Sequence, residues 1–228
     1  MRRAAAGAVG ALLLGASISV AQIPPSPEDI AGYRGLHAAA ARDDVAEISR
    51  LLAGGANPEA RDGNGRTALH VAVFTAHAAA ARALVAGGAQ ADALDAQRYD
   101  SVTIAAVRND VAMLRLALAL GTSPRNITSP YQGTALIAAA HLGHDEVVRE
   151  LIRAGAPLDH VNNLGWTALL EAVILGDGGP RHVAVLRVLV QAGANRALPD
   201  RQGVSALAHA RRRGYAEMVA ILDTAGPR

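Results

Sequence analysis

The chain has 228 residues, 51% of them apolar, with 52 alanines, 23 glycines, six aromatic side chains and no cysteine. All 22 basic residues are arginine, against 20 acids, for a formal charge of +2. This is enough chain for one or two domains with a sizeable core and too aliphatic for a disordered tail. Without thiols it has no disulfide scaffold, thiolate metal site, iron–sulfur cluster or cysteine nucleophile. Abundant Ala, Leu and Val with few aromatics predict close-packed helices rather than a strand sandwich.

The first predicted element is a leader. Residues 1–21 read as a secretory signal peptide: Arg2 and Arg3 start it, Ala4 to Val20 are apolar around Leu12 to Leu14, and Ser19 and Ala21 put cleavage after Ala21. The stretch is short, rich in Ala and Gly and not followed by a basic stop, which argues against a membrane anchor; with no cysteine there is no lipoprotein attachment. Cleavage would remove two arginines and no acid, leaving 20 against 20 and a formal charge of zero. No basic excess then remains for nucleic acid. Residues 22–30, with Pro24, Pro25 and Pro27, read as an extended lead-in.

From residue 31 one unit repeats six times, with boundaries near 31–61, 62–94, 95–127, 128–161, 162–199 and 200–228. Leu36, Leu69, Val102, Leu136, Leu169 and Leu207 align. Unit-ending glycines at 55, 88, 121, 155, 193 and 226 follow the same period, with a single five-residue excess between Leu169 and Gly193. Thr67-Ala68-Leu69-His70 recurs as Thr134-Ala135-Leu136, Thr167-Ala168-Leu169 and Ser205-Ala206-Leu207. Each copy predicts an Ala-rich helix, a short turn and a second helix with apolar residues three and four apart, such as Val147, Val148, Leu151 and Ile152. A glycine stop and a polar hairpin segment follow.

These residues resemble ankyrin repeats: the T-A-L-H of 67–70, the G-H-x-E-V-V segment beginning at Gly143 and the Gly-Ala endings after Gly55 and Gly193 carry the likeness over roughly 30–226. Unit three, with Asp100-Ser101-Val102-Thr103 in the motif slot, departs most. The resemblance implies an all-α solenoid of about six helix-turn-helix units joined by hairpin loops, with hairpin tips and inner helices forming a concave groove. Units one and six should be caps, and Arg211 to Arg213 suit an end with no further repeat.

On the implied fold five of the six aromatics fall on the groove, all but Tyr215. The slot before each Thr-x-Leu motif holds Tyr33, Arg66, Tyr99, Gly133, Trp166 and Val204, with Tyr131 two residues upstream in unit four. The groove-facing ends of the inner helices carry Phe74 and His141, with Arg108 beside them. Tyr, Trp and Arg dominate binding hot spots, so Tyr33, Arg66, Phe74, Tyr99, Arg108, Tyr131, His141 and Trp166 are the expected partner-binding residues; the alternative is that hairpin aromatics only stiffen the array. The extra residues of unit five, including Asp177, Arg181 and His182, read as an insertion loop that either extends this face or is neutral.

No chemistry-bearing motif accompanies these features. His37 and His70 take a position the family uses to bond hairpin backbone, and His77 and His144 precede outer helices. His141, His144 and His182 are the one trio of a kind that zinc takes, and a metal-dependent hydrolase around unit five is the least favoured reading. Glu171 and His209, each two residues after its aligned leucine, are expected to pair across adjacent units as a structural contact. The resemblance and the leader together imply a non-catalytic monomer, without metal or cofactor, that binds another protein in the bacterial periplasm. Exported bacterial ankyrin proteins include protective partners of enzymes and inhibitors or immunity partners of cell-wall or toxin enzymes, and the sequence leaves both open.

Overall fold

The computed structural model describes residues 22–224, and among these the secondary structure is thirteen helices and two isolated bridges. The expected signal peptide and Gly226 lie outside the described residues. After α1 (Pro27–Gly32), the helices come in six pairs: α2 (Gly35–Ala41) with α3 (Val45–Ala53), α4 (Ala68–Phe74) with α5 (Ala78–Ala86), α6 (Ser101–Val107) with α7 (Val111–Ala119), α8 (Ala135–Leu142) with α9 (Asp145–Arg153), α10 (Ala168–Ile174) with α11 (Pro180–Gln191), and α12 (Ala206–Arg213) with α13 (Ala216–Asp223). The even-numbered inner helices touch in succession from α2 to α12, and the outer helices stack behind them. The result is the expected all-α solenoid.

The repeated motif starts the inner helices. Thr134, Thr167 and Ser205 each cap a helix by accepting the backbone N–H three residues on, and in divergent unit three Asp100 does the same for Thr103 at 2.7 Å. Each such cap is worth about 1 kcal/mol. A positive φ ends the units, as at Gly88 (97°), a conformation glycine adopts without steric cost.

Burial follows the repeat. Leu36, Leu69, Val102, Leu136 and Leu169 are buried together with the alanines of the inner helices. Leu207 is only half-buried and Arg211 to Arg213 are exposed in α12, the inner helix of the last described pair. Small side chains let neighbouring helices approach, so one continuous apolar core runs the length of the stack.

Histidines tie the units together. His37 Nε2–H donates to Arg66 O at 2.8 Å and His70 Nε2–H to Tyr99 O at 3.1 Å, each crossing to the next hairpin. His77, His144 and His182 donate backwards, to Ala40 O, Ala106 O and His141 O. Burial lowers the His70 pKa to about 4, so its ring is neutral and its Nδ1 accepts from the Thr67 backbone N–H.

Two segments depart from expectation. The lead-in is not extended throughout: Ser26 and Asp29 form a reciprocal capping box and Pro27 occupies the first turn, which nucleates α1. The insertion is not an open loop. Helix α11, at twelve residues, is three longer than α9, and Gly176 and His182 pack inward. His182 is buried between Asp177 Oδ1 (2.8 Å) and His141 O, while the Tyr215 hydroxyl donates to Gly176 O at 3.1 Å.

Candidate functional site

The hairpins that rim the groove share one device that sequence inspection missed. Asp62, Asp95, Asn162 and Asp200 each accept, through Oδ1, the backbone N–H groups two and four residues ahead, at 2.9–3.0 Å. Each leaves a second side-chain atom free for another partner. Asp200 Oδ2 takes it from His209 Nε2 at 2.6 Å. Asn162 Nδ2 instead donates to Glu171 Oε1 at 2.9 Å. Glu171 and His209 therefore do not pair with each other; each bonds the hairpin nine residues upstream in its own unit, where an acceptor or donor is already held in place.

Asp62 serves the groove's first half. Its Oδ2 accepts from Arg66 Nε at 2.6 Å and from the Tyr33 hydroxyl at 2.8 Å, and Arg66 Nη2 reaches Asp29 at 2.8 Å. Burial pushes the Asp62 carboxyl up, but the backbone and guanidinium hydrogen bonds from Arg66 outweigh it and hold the group below the usual range. Arg66 is 1% exposed, Tyr99 2% and Phe74 5%. These three, expected on an open face, are sealed. They are fixed by neighbouring hairpins and by the lead-in, which lies across the concave side of units two and three: Gln22 Nε2 donates to Thr103 O, and Arg66 Nη1 donates to Ile23 O. Gln22 and Pro24 share a hollow with Phe74, Val107 and the exposed Arg108. The continuous ribbon of exposed rings is thus corrected to a shorter stretch.

That stretch lies over units four and five, where Tyr131, His141 and Trp166 are half-buried. Ser129 and Gln132, at φ 65° and 53°, flank Tyr131 in a strained hairpin tip held by Thr128 N–H donating to Gly133 O. Beneath Tyr131 is a cavity of about 20 Å³ bounded by Thr103, Thr128, Ile137, His141, Asn162 and Glu171, among others. Glu171 is 4% exposed, and burial pushes its pKa up to about 7, partly offset by the Asn162 hydrogen bond. His141 Nδ1 stands 3.5 Å from Glu171 Oε2, and burial, then the neighbouring His182, lowers its basicity.

The insertion residues divide. Asp177 and Arg181 are exposed and His182 is buried. Both ring nitrogens of His182 are engaged, and His144 Nδ1 is bound to Ala106 O. Among the described residues no group of three His, Cys, Asp or Glu is placed to hold a metal ion, and no helix is long and apolar enough to cross a membrane.

Comparison with known proteins agrees with this geometry. Family models described as ankyrin repeats match residues 36–85 and 102–195. An ankyrin repeat domain of Acinetobacter baumannii AYE shares 44% identity and superposes with a TM-score of 0.76, covering 82% of this chain and 95% of that one. The putative ankyrin repeat protein YahD of Escherichia coli K12 is 36% identical over 102 residues, 44% of this chain; the match spans about half (51%) of that relative's length. A structure of the Bd0816 predatory endopeptidase from Bdellovibrio bacteriovorus in complex with immunity protein Bd3460 matches in fold, with a TM-score of 0.69 at 18% identity, covering 85% of this chain and 99% of that one. Ankyrin repeats are protein–protein interaction modules, generally non-catalytic. The chain belongs to the ankyrin-repeat family.

Proposed function

We propose that this chain is an exported, non-catalytic binding partner that docks another protein over units four and five, as a scaffold or protective partner. The observation that carries the reading is the placement of Tyr131, His141 and Trp166. They are the half-buried rings of the groove that neither the lead-in nor the Arg66 cluster covers. Half-exposed aromatic and imidazole rings above a small cavity are the composition of a binding hot spot. The periplasm is the proposed location, on the strength of the leader read at residues 1–21.

Affinity capture from periplasmic extract tests this, comparing wild type with Trp166→Ala and with Tyr131→Ala. Each substitution should weaken the captured partner by about 2 kcal/mol, roughly thirtyfold. Unchanged capture by both variants would remove this face from the account. N-terminal sequencing of the exported protein should begin at Gln22.

A second reading, occlusion of an enzyme's active site, draws on the fold likeness to the endopeptidase–immunity complex. Assaying the captured partner separates the two: inhibition on binding supports occlusion, and preserved or prolonged activity supports protection. The metal-dependent hydrolase reading gains nothing from the arrangement of His141, His144 and His182.

A further inference from the structure

The cavity between units four and five holds an acceptor without a donor. Glu171 Oε1 is satisfied by Asn162, but Oε2 is buried with no hydrogen-bond partner, and His141 Nδ1 at 3.5 Å is not within bonding geometry. Native structures rarely leave such an atom unmet, and an orphan carboxylate oxygen asks for a cationic donor. The cavity's volume of about 20 Å³ admits a head the size of one water molecule. An ammonium group has that size and three donors with no acceptor; a guanidinium is a larger planar fork. Ile137 and Ala138 supply apolar wall for an alkyl stem, and the half-buried Tyr131, Ala138 and His141 form the solvent side. His141, kept neutral by burial, does not repel an incoming cation.

We propose that this cavity receives the ammonium group of a lysine side chain from the partner protein, with Glu171 Oε2 as its acceptor. The inference deepens the interaction-module reading and rests on it for the source of the lysine. This chain contains no lysine, so no side chain of its own or of a second copy supplies the group.

The test is amide NMR on the isotopically labelled chain, titrated at about pH 8 with N-acetyl-lysine N-methylamide and, separately, with its norleucine and arginine counterparts. The lysine probe should give saturable shifts confined to the segments around Tyr131, His141 and Glu171. The arginine probe should bind about tenfold more weakly, and the norleucine probe should give no saturable shift. Glu171→Gln, which preserves the Asn162 hydrogen bond, should abolish the lysine response. Equal responses to the three probes, an undiminished response in Glu171→Gln, or no saturable response to the lysine probe would each overturn the proposal. Because the probe needs no partner, this result is independent of the capture experiment: capture lost on Trp166→Ala but unaltered by Glu171→Gln would leave the module reading standing and overturn the lysine site.

Discussion

Glu171→Gln should raise stability, and the gain should grow with pH. In the folded chain burial lifts the Glu171 carboxyl from 4.5 to about 7, so folding favours its protonated form. The sign follows directly: the group's contribution is fully present below pH 4.5 and is lost as pH rises through about 7, where the carboxylate must ionise inside the protein. A shift of this size corresponds to a penalty of about 3 kcal/mol near pH 8 and under about 1 kcal/mol near pH 5. Glutamine removes the charge, its Oε1 still accepts from Asn162 Nδ2, and its Nε2 lies beside an imidazole nitrogen able to accept. Urea unfolding of both proteins at pH 5 and pH 8 measures the difference, and taking the difference cancels every other titrating group. A gain of about 2–3 kcal/mol at pH 8 that shrinks toward zero at pH 5 is expected. Equal stability at pH 8, or a gain of the same size at both values, would refute the argument that Glu171 is a desolvated carboxylate held against its own stability.

Other substitutions probe the framework. Arg66→Met leaves the Asp62 carboxylate, 9% exposed, without its guanidinium and should cost about 3 kcal/mol in urea unfolding, while Arg50→Ala, whose ion pair to Glu47 is 69% exposed on the arginine side, should stay within about 0.5 kcal/mol. His70, with a folded pKa of about 4 against 6.5, contributes stability above pH 6.5 that is lost as pH falls toward 4; melts at neutral and acid pH should show His70→Gln with a flatter acid limb than wild type. At Gly178, φ is 73° and an added Cβ would lie 2.5 Å from the Tyr215 ring, so Gly178→Ala should lower stability by about 1–3 kcal/mol, partly restored by Tyr215→Ala in a double-mutant cycle.

The fold was legible because it repeats. Two independent markers, the aligned leucines and the terminal glycines, set the period, and the caps, the inner burial and the histidine ties follow from residue type at a fixed place in each unit. The candidate site was only half legible, for a physical reason. An aromatic or arginine at a rim position says that a large side chain stands there, but not whether the next hairpin or the lead-in covers it. Arg66, Phe74 and Tyr99 are covered; Tyr131 and Trp166 are not, and nothing within one unit distinguishes them. The lead-in's path depends on Gln22 and Ile23 meeting groups more than 40 residues away. One signal was available and was missed. The hairpin slot holds Asp in units two, three and six but Asn in unit five, and the residue nine positions later is His in unit six but Glu in unit five. That exchange of Asp–His for Asn–Glu keeps one hydrogen bond while placing a carboxylate in the groove wall, and it marks Glu171 without coordinates.

The central claim, that partners dock over units four and five, is tested most directly by site-specific photocrosslinking. A photoreactive amino acid is placed at Tyr131 or Trp166 on the concave side, or at Arg82 or Arg149 on outer helices, in protein exported to its native compartment. The account predicts one defined adduct from Tyr131 and Trp166 and none from Arg82 or Arg149. Adducts from the outer-helix positions with none from the groove would contradict it.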